Sequence, residues 1–200
     1  MNVICLDFEG VLIPEIWIGV AEKTGIDGLK RTTRDEPDYH KLMKYRMDIL
    51  RKNGLKLSDI QDVIATLDPL EGASDFLTRA HELGEVVILS DTFVEFAKPL
   101  LRKLGYPFML CNSLSVDGDG YLMGIMMRQE DGKRKAVEAF KSINCRTFAS
   151  GDSYNDLSMI DAADKGILFR PPENIVRERS DLKAVYQYDE FLSEIEEFVK

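Results

Sequence analysis

Long apolar runs are missing from this chain: nowhere do about 18 hydrophobic residues follow one another, as a membrane-spanning helix requires, and no cationic start leads into an apolar secretion signal. Positive charge is scarce as well. With 26 Lys and Arg against 35 Asp and Glu, the net charge of −9 argues against broad nucleic-acid or anionic-membrane binding, which rests on clustered cations meeting phosphates. A small phosphorylated substrate stays open, because one or two placed cations and a metal are enough to hold it. Cysteine is sparse and odd in number: Cys5, Cys111 and Cys145 form no CxxC pair, which speaks against a disulfide framework and for a reducing compartment, with the cytoplasm expected. Each reads as a small buried hydrophobe. His40 and His81 fall in no motif and read as solvated helix residues, so no histidine-based mechanism is needed. Internal repeats, low-complexity tracts and long linkers are absent. The length suits one sizeable core with a small inserted subdomain.

The apolar run Val3-Ile4-Cys5-Leu6 predicts a buried strand that ends in Asp7-Phe8-Glu9-Gly10-Val11. From Pro14 to Asp68 apolar residues recur at three- and four-residue spacings: Ile16, Val20 and Ala21; Leu42, Met43, Met47 and Leu50; Ile60, Val63, Ile64 and Leu67. This pattern predicts about four helices over residues 14–70, with Ser58 and Gln61 spaced as a capping box, inserted as a cap into a core of residues 1–13 and 71–200. After Gly72, helices alternate with short unpatterned strands. Helices are expected at Ala73 to Leu83, at Glu95 to Leu104 with Pro99 bending it or marking its start, at Lys133 to Ser142 and at Glu190 to Val199. The last reads as a solvated outer layer. Strands are expected at Val86 to Leu89, Phe108 to Cys111, Thr147 to Ala149 and Gly166 to Phe169, with a hairpin about Asp117-Gly118-Asp119-Gly120. The methionines Met43, Met47, Met126, Met127 and Met159 read as packing. Together these predict an α/β fold: a Rossmann-like, mainly parallel sheet between helices, with a small helical cap.

Three of the expected strands end in polar turns that carry acids: Asp7 to Gly10, Ser90-Asp91-Thr92, and Gly151 to Asp156. Parallel strands put their carboxyl ends on one edge, where such sheets bind ligands. Alone, Asp7 to Gly10 is an ordinary solvated turn. With its neighbours, Asp7 becomes a candidate nucleophile and Glu9 its acid/base partner. Crowding Asp7, Asp152 and Asp156 calls for a cation, and magnesium, hard and oxygen-loving, is the natural one. Lys133 at a helix start offers positive charge, and Ser90 with adjacent amides offers hydrogen bonds for a phosphate.

Asp7-x-Glu9-Gly10-Val11, Ser90-Asp91-Thr92, Lys133 and Gly151-Asp152-x-x-Asn155-Asp156 resemble, in order and spacing, the motifs of the haloacid-dehalogenase-like phosphatases. Pro14-Glu15-Ile16-Trp17, Asp91-Thr92-Phe93 and Gly151 to Asp156 are similar to those of bacterial phosphoserine phosphatases that also transfer phosphate to homoserine. The resemblance implies that Asp7 becomes an aspartyl phosphate. Glu9, where most relatives carry a second Asp, would protonate the leaving oxygen and deprotonate the acceptor, its reach altered by one methylene. Asp7, the Glu9 backbone carbonyl and Asp152 would hold Mg2+, with Asp156 supporting that site or Lys133. Ser90, Asp91, Thr92, Lys133 and Asn155 would bind the phosphate side. Glu15 and Arg46 would meet the ammonium and carboxylate of phosphoserine, with Arg34 and Arg51 as alternatives to Arg46. Asn112 lies near phosphate or satisfies a turn, and Trp17 lines the pocket or packs in the cap. Water and homoserine are the implied acceptors. Other readings are a phosphatase for another small monoester, and a phosphate-binding regulatory protein without turnover.

Overall fold

Alternation along the short strands decides the architecture. In β1 (Asn2–Leu6), Ile4 and Leu6 enter one apolar cluster while Val3 and Cys5 enter another. The same division separates Ile88 from Val87 and Leu89 in β2 (Glu85–Phe93), Phe148 from Ala149 in β5 (Arg146–Gly151), and Ile167 and Phe169 from Leu168 in β6 (Lys165–Phe169). A sheet whose two faces are both apolar must be covered on both. α4 (Ala73–Leu83), α5 (Val94–Lys103) and α9 (Tyr188–Val199) cover the first face, and α6 (Gly132–Ser142), α7 (Leu157–Ala162) and α8 (Glu173–Glu178) the second. This computed structural model describes residues 1–32, 35–36 and 38–200.

Among the described residues, β3 (Met109–Val116), β4 (Leu122–Met126) and β7 (Lys183–Val185) complete a seven-stranded sheet in the order β4-β3-β2-β1-β5-β6-β7. It is parallel except where β4 returns along β3 as a hairpin. β1 is central, and the chain fills first the side of β2 and then the side of β5, so a topological switch point lies beside it. Leu6 is level with Ile88 on β2 and with Ser150 on β5. The residues just beyond, Asp7, the Ser90–Thr92 segment and Asp152, are therefore brought to one rim.

Residues between β1 and α4 form α1 (Ile16–Thr24), a 3-10 turn (Asp27–Lys30), α2 (Tyr39–Lys52) and α3 (Leu57–Ala65). Their apolar stripes, including Ile16, Val20, Met43, Leu50, Ile60 and Ile64, join the cluster on the first face of the sheet. The amide of Leu70 donates to the Leu12 carbonyl at 3.0 Å, tying together the segments by which the chain leaves and re-enters the sheet.

Several local expectations are corrected. α3 starts before Ser58, because the Lys56 amide donates to Asp59 Oδ2 at 2.7 Å and opens the helix there. Gln61 is instead spent on Pro99, which lies inside α5 rather than at its start: the Glu95 carbonyl, left without its helical donor, accepts Gln61 Nε2 at 2.8 Å. The apolar run at Phe108 and the first half of the hairpin are one strand, β3, parallel to β2 at its start and antiparallel to β4 at its end. The polar stretch before the last helix contains α8 and the edge strand β7. α9 is no solvated layer, since Phe191, Leu192, Ile195 and Phe198 are buried. Met43 and Met159 pack internally, but Met126 and Met127 are exposed. Among the described residues, no helix is long and apolar enough to cross a membrane.

Candidate active site

Asp7 leaves β1 with its amide donating to the Ser150 carbonyl at 2.9 Å, so the strand continues one residue into the crevice and buries the Asp7 carboxylate. The turn that follows needs glycine. Gly10 has φ +76°, and a Cβ there would stand 2.7 Å from the Asp152 carboxyl carbon. The turn therefore packs directly against the loop that follows β5.

Lys133, in the first turn of α6, is the cationic centre of the group. Its Nζ donates to Asp7 Oδ1 at 2.8 Å and to Asp156 Oδ1 at 2.6 Å, and stands 3.7 Å from Asp91 Oδ2. The side chain is 3% exposed, and although burial opposes its charge, Asp156, Asp7 and Asp91 hold the ammonium well above its ordinary pKa. The other oxygen of Asp156 accepts the amides of Asp152 and Ser153 at 3.1 and 3.0 Å, so this fully buried carboxylate shapes the loop and orients Lys133 together. Burial and Asp156 push Asp7 well above the carboxylate range, with Lys133 pulling the other way. Asp152 is raised to about 7, by burial first and then by Asp156 and Glu15.

Glu9 stands apart from this cluster. Its Oε2 accepts the Ile16 amide at 2.9 Å, at the first residue of α1, and it is hydrogen-bonded to Thr92 and to the Glu15 carboxyl. Burial and the charge of Glu15 push it up to about 8. Thr92 is buried, and its amide donates to Ser90 Oγ at 3.2 Å. Asn155 Nδ2 donates to Asp91 Oδ2 at 2.9 Å, and Ser153 Oγ hydrogen-bonds Asn155 Oδ1. Asn112 is a tie rather than a free donor, giving Nδ2 to the Asp91 carbonyl at 3.0 Å and accepting the Arg128 amide at 3.0 Å.

Over this rim stand Glu15, exposed just before α1, and Arg46, buried on α2. The Arg46 guanidinium lies 4.6 Å over the Trp17 ring and donates Nη2 to the Arg31 carbonyl at 2.6 Å, while Nε has no hydrogen-bond partner among the described residues. Burial lowers its pKa to about 10, against the attraction of Tyr39, Glu9 and Glu15. Arg51 turns elsewhere, toward Asp117 at 3.7 Å and the Tyr121 ring. Arg34 lies outside the described residues. Trp17 packs edge-on to Phe96, at 5.4 Å between centroids. Sequence reasoning missed Tyr39, whose hydroxyl donates to the Asp91 carbonyl at 3.2 Å. Its signal was there: Tyr39, Met43 and Arg46 lie on one helical stripe.

The donor set suits a hard cation. Asp7, Asp152 and Asp156 each offer a carboxylate oxygen, all within 4.8 Å of one another. Among the described residues Lys133 is the one cation paired with these carboxylates, and the raised Asp7 and Asp152 express the shortfall. Oxygen donors without nitrogen or sulfur suit a hard divalent cation, magnesium among them.

A family model described as haloacid dehalogenase-like hydrolase matches residues 1–164. The chain is 56% identical over 194 residues to the phosphoserine phosphatase ThrH of Pseudomonas aeruginosa, covering 97% of this chain and 95% of that protein. It is 54% identical to a phosphoserine phosphatase of Pseudomonas syringae pv. tomato, covering 97% and 82%. The crystal structure of a phosphoserine phosphatase in apo form superposes with a TM-score of 0.77 at 24% identity, over 99% of this chain and 98% of that one, a likeness of fold.

Proposed function

Since the chain belongs to the haloacid dehalogenase-like hydrolase family, we propose that it removes the phosphoryl group from O-phospho-L-serine and also passes it to homoserine. The observation that carries this reading is the division of labour on the rim: Asp7 is ion-paired to Lys133 at 2.8 Å, and Glu9, outside that cluster, accepts the Ile16 amide at 2.9 Å. One carboxylate is set to attack and the other holds a proton to give.

In the proposed cycle an Asp7 carboxylate oxygen bonds to phosphorus as the bond between phosphorus and the serine oxygen breaks. Glu9 gives its proton to that oxygen, and serine leaves. Ionised Glu9 then takes a proton from water, whose oxygen bonds to phosphorus as the bond to Asp7 breaks, and inorganic phosphate departs. The homoserine hydroxyl in place of water gives O-phosphohomoserine by the same step. Ser90, Asp91, Thr92, Lys133 and Asn155 are proposed to surround the phosphate, with Glu15 meeting the substrate ammonium and Arg46 its carboxylate. Magnesium bound by Asp7, the Glu9 carbonyl and Asp152, with Asp156 in support, supplies neutralisation of the phosphoryl charge. Residues 14–70 are proposed to act as a cap over this site, and the cytoplasm is the proposed compartment.

Phosphate release from phosphoserine, followed with Mg2+ and after chelation, tests the reading. Turnover is expected only with metal, and is expected to vanish in a folded Asp7→Asn variant. No turnover at all, or turnover indifferent to chelation, would overturn it. With homoserine added, phosphohomoserine is the expected product, and its absence at generous homoserine would leave a plain phosphatase.

A further inference from the structure

Tyr39 opens α2 and reaches across 52 residues of sequence to give its hydroxyl proton to the Asp91 carbonyl at 3.2 Å. A carbonyl oxygen has two lone pairs, and the second accepts Asn112 Nδ2 at 3.0 Å. The other side of the same peptide group is the Thr92 amide, which donates to Ser90 Oγ at 3.2 Å. Because a peptide group is planar and rigid, fixing the Asp91 oxygen fixes the direction of the Thr92 N–H, and with it the Ser90 hydroxyl.

The far end of α2 is secured elsewhere, with Arg51 over the Tyr121 ring, and the start of α3 follows it: Lys56 lies over the same ring and the Leu57 amide donates to the Gly120 carbonyl at 2.9 Å. Between the two ends, Arg46 covers Trp17, which in turn rests on Phe96 of α5. Of these attachments, the Tyr39 hydroxyl is the one that meets the strand carrying Ser90 and Thr92. A phenyl ring would fill the same space; the O–H is what couples the two.

We infer that Tyr39 is a positioning residue, a latch by which the seating of the inserted helices sets the Asp91–Thr92 peptide for phosphate, an inference that rests on the phosphoserine reading of the site. A substrate with an amino-acid handle engages the helices through Glu15 and Arg46 and draws on the latch. A small aryl phosphate has no such handle, meets the peptide through its phosphate alone and draws on the latch less.

The test is Tyr39→Phe in the full chain, with an unchanged far-UV circular dichroism spectrum as the control for folding. Loss of one hydrogen bond is expected to lower kcat/KM for phosphoserine about fivefold, and that for p-nitrophenyl phosphate less than about twofold. Trp17 is the only tryptophan. Its quenching by acrylamide, which needs no turnover, is expected to rise about twofold or more as α2 loosens. Equal losses on both substrates, or no loss on either, would overturn the latch, as would unchanged Trp17 quenching. A wild-type protein inactive on phosphoserine would overturn the functional reading, while the quenching comparison still decides whether Tyr39 holds α2 down.

Discussion

The Ile16 amide donates to Oε2 of Glu9 at 2.9 Å, so the first residue of the inserted helices is held by the side chain proposed as acid and base. Helix entry and proton transfer share one carboxyl group. Burial and Glu15 keep that group protonated up to about 8, although the Ile16 hydrogen bond favours its charged form.

A falling limb in the pH profile follows. As pH rises through about 8, Glu9 loses the proton that the serine oxygen needs, so kcat/KM for phosphoserine is expected to decline above that pH. Glu9→Gln is expected to reduce kcat on phosphoserine by about 10²–10³-fold. Its first step with p-nitrophenyl phosphate, whose leaving group needs no proton, is expected to survive as a burst of nitrophenolate. An equal loss with both substrates in rapid-mixing kinetics would remove Glu9 from the acid role. Glu9→Asp is further expected to alter the ratio of phosphohomoserine to phosphate; an unchanged ratio would mean that the extra methylene does not select the acceptor.

Metal binding should be visible in stability without any turnover. Burial, Asp156 and Glu15 raise Asp152 to about 7, above its unfolded value, so its favourable contribution is complete at low pH and is lost as pH rises from about 4 through about 7. A divalent cation offsets the resulting repulsion among Asp7, Asp152 and Asp156. In scanning fluorimetry the Tm gain from Mg2+ is therefore expected to be larger at pH 8 than at pH 5.5. Asp152→Asn is expected to raise the metal-free Tm at pH 8 and to blunt the response to Mg2+. A Mg2+ response equal at both pH values would contradict the carboxylate account.

The terminal helix carries more of the core than its charges suggest. Phe191 is fully buried, with ring centroids 4.7 Å from Phe76 and 5.0 Å from Phe169. Phe191→Ala is expected to destabilise by about 3–5 kcal/mol, and Phe191→Leu by much less, because the leucine keeps most of the apolar volume. Urea denaturation measures both. A loss below about 1 kcal/mol for the alanine variant would return α9 to the role of an outer layer.

The alternation of strand and helix was legible because buried parallel strands are short and uniformly apolar, and because glycines close the helices. The convergence of the turns that carry Asp7, Ser90, Asp152 and Asp156 followed from strand handedness, which sends every parallel carboxyl end to one rim, whereas Lys133, at a helix start, was legible only as a cation suited to that rim. Features that depend on a distant partner were not legible. In sequence β3 looks like two pieces because Asn112 and Ser113 interrupt its apolar pattern, yet Asn112 is buried through hydrogen bonds to Asp91 and Arg128. α9 hid an inner stripe of Phe191, Ile195 and Phe198 beneath its glutamates. Tyr39 shares a helical stripe with Met43 and Arg46, but the carbonyl it meets lies 52 residues away on β2.

Gln61 and Pro99 show the same limit and provide the sharpest energetic test. Proline cannot donate to the carbonyl four residues earlier, and in α5 that carbonyl, of Glu95, is served by Gln61 from α3 at 2.8 Å. Removing the amide strands a part-buried acceptor, which costs about 1–3 kcal/mol. Gln61→Ala is thus expected to destabilise by that order. In a Pro99→Ala background the helix regains its own N–H, and the same replacement is expected to cost less than about 0.5 kcal/mol. The double-mutant cycle, measured by urea denaturation, reads the difference directly. Equal costs in both backgrounds would show that Gln61 stabilises by packing alone, and that the Glu95 carbonyl finds water when its partner is removed.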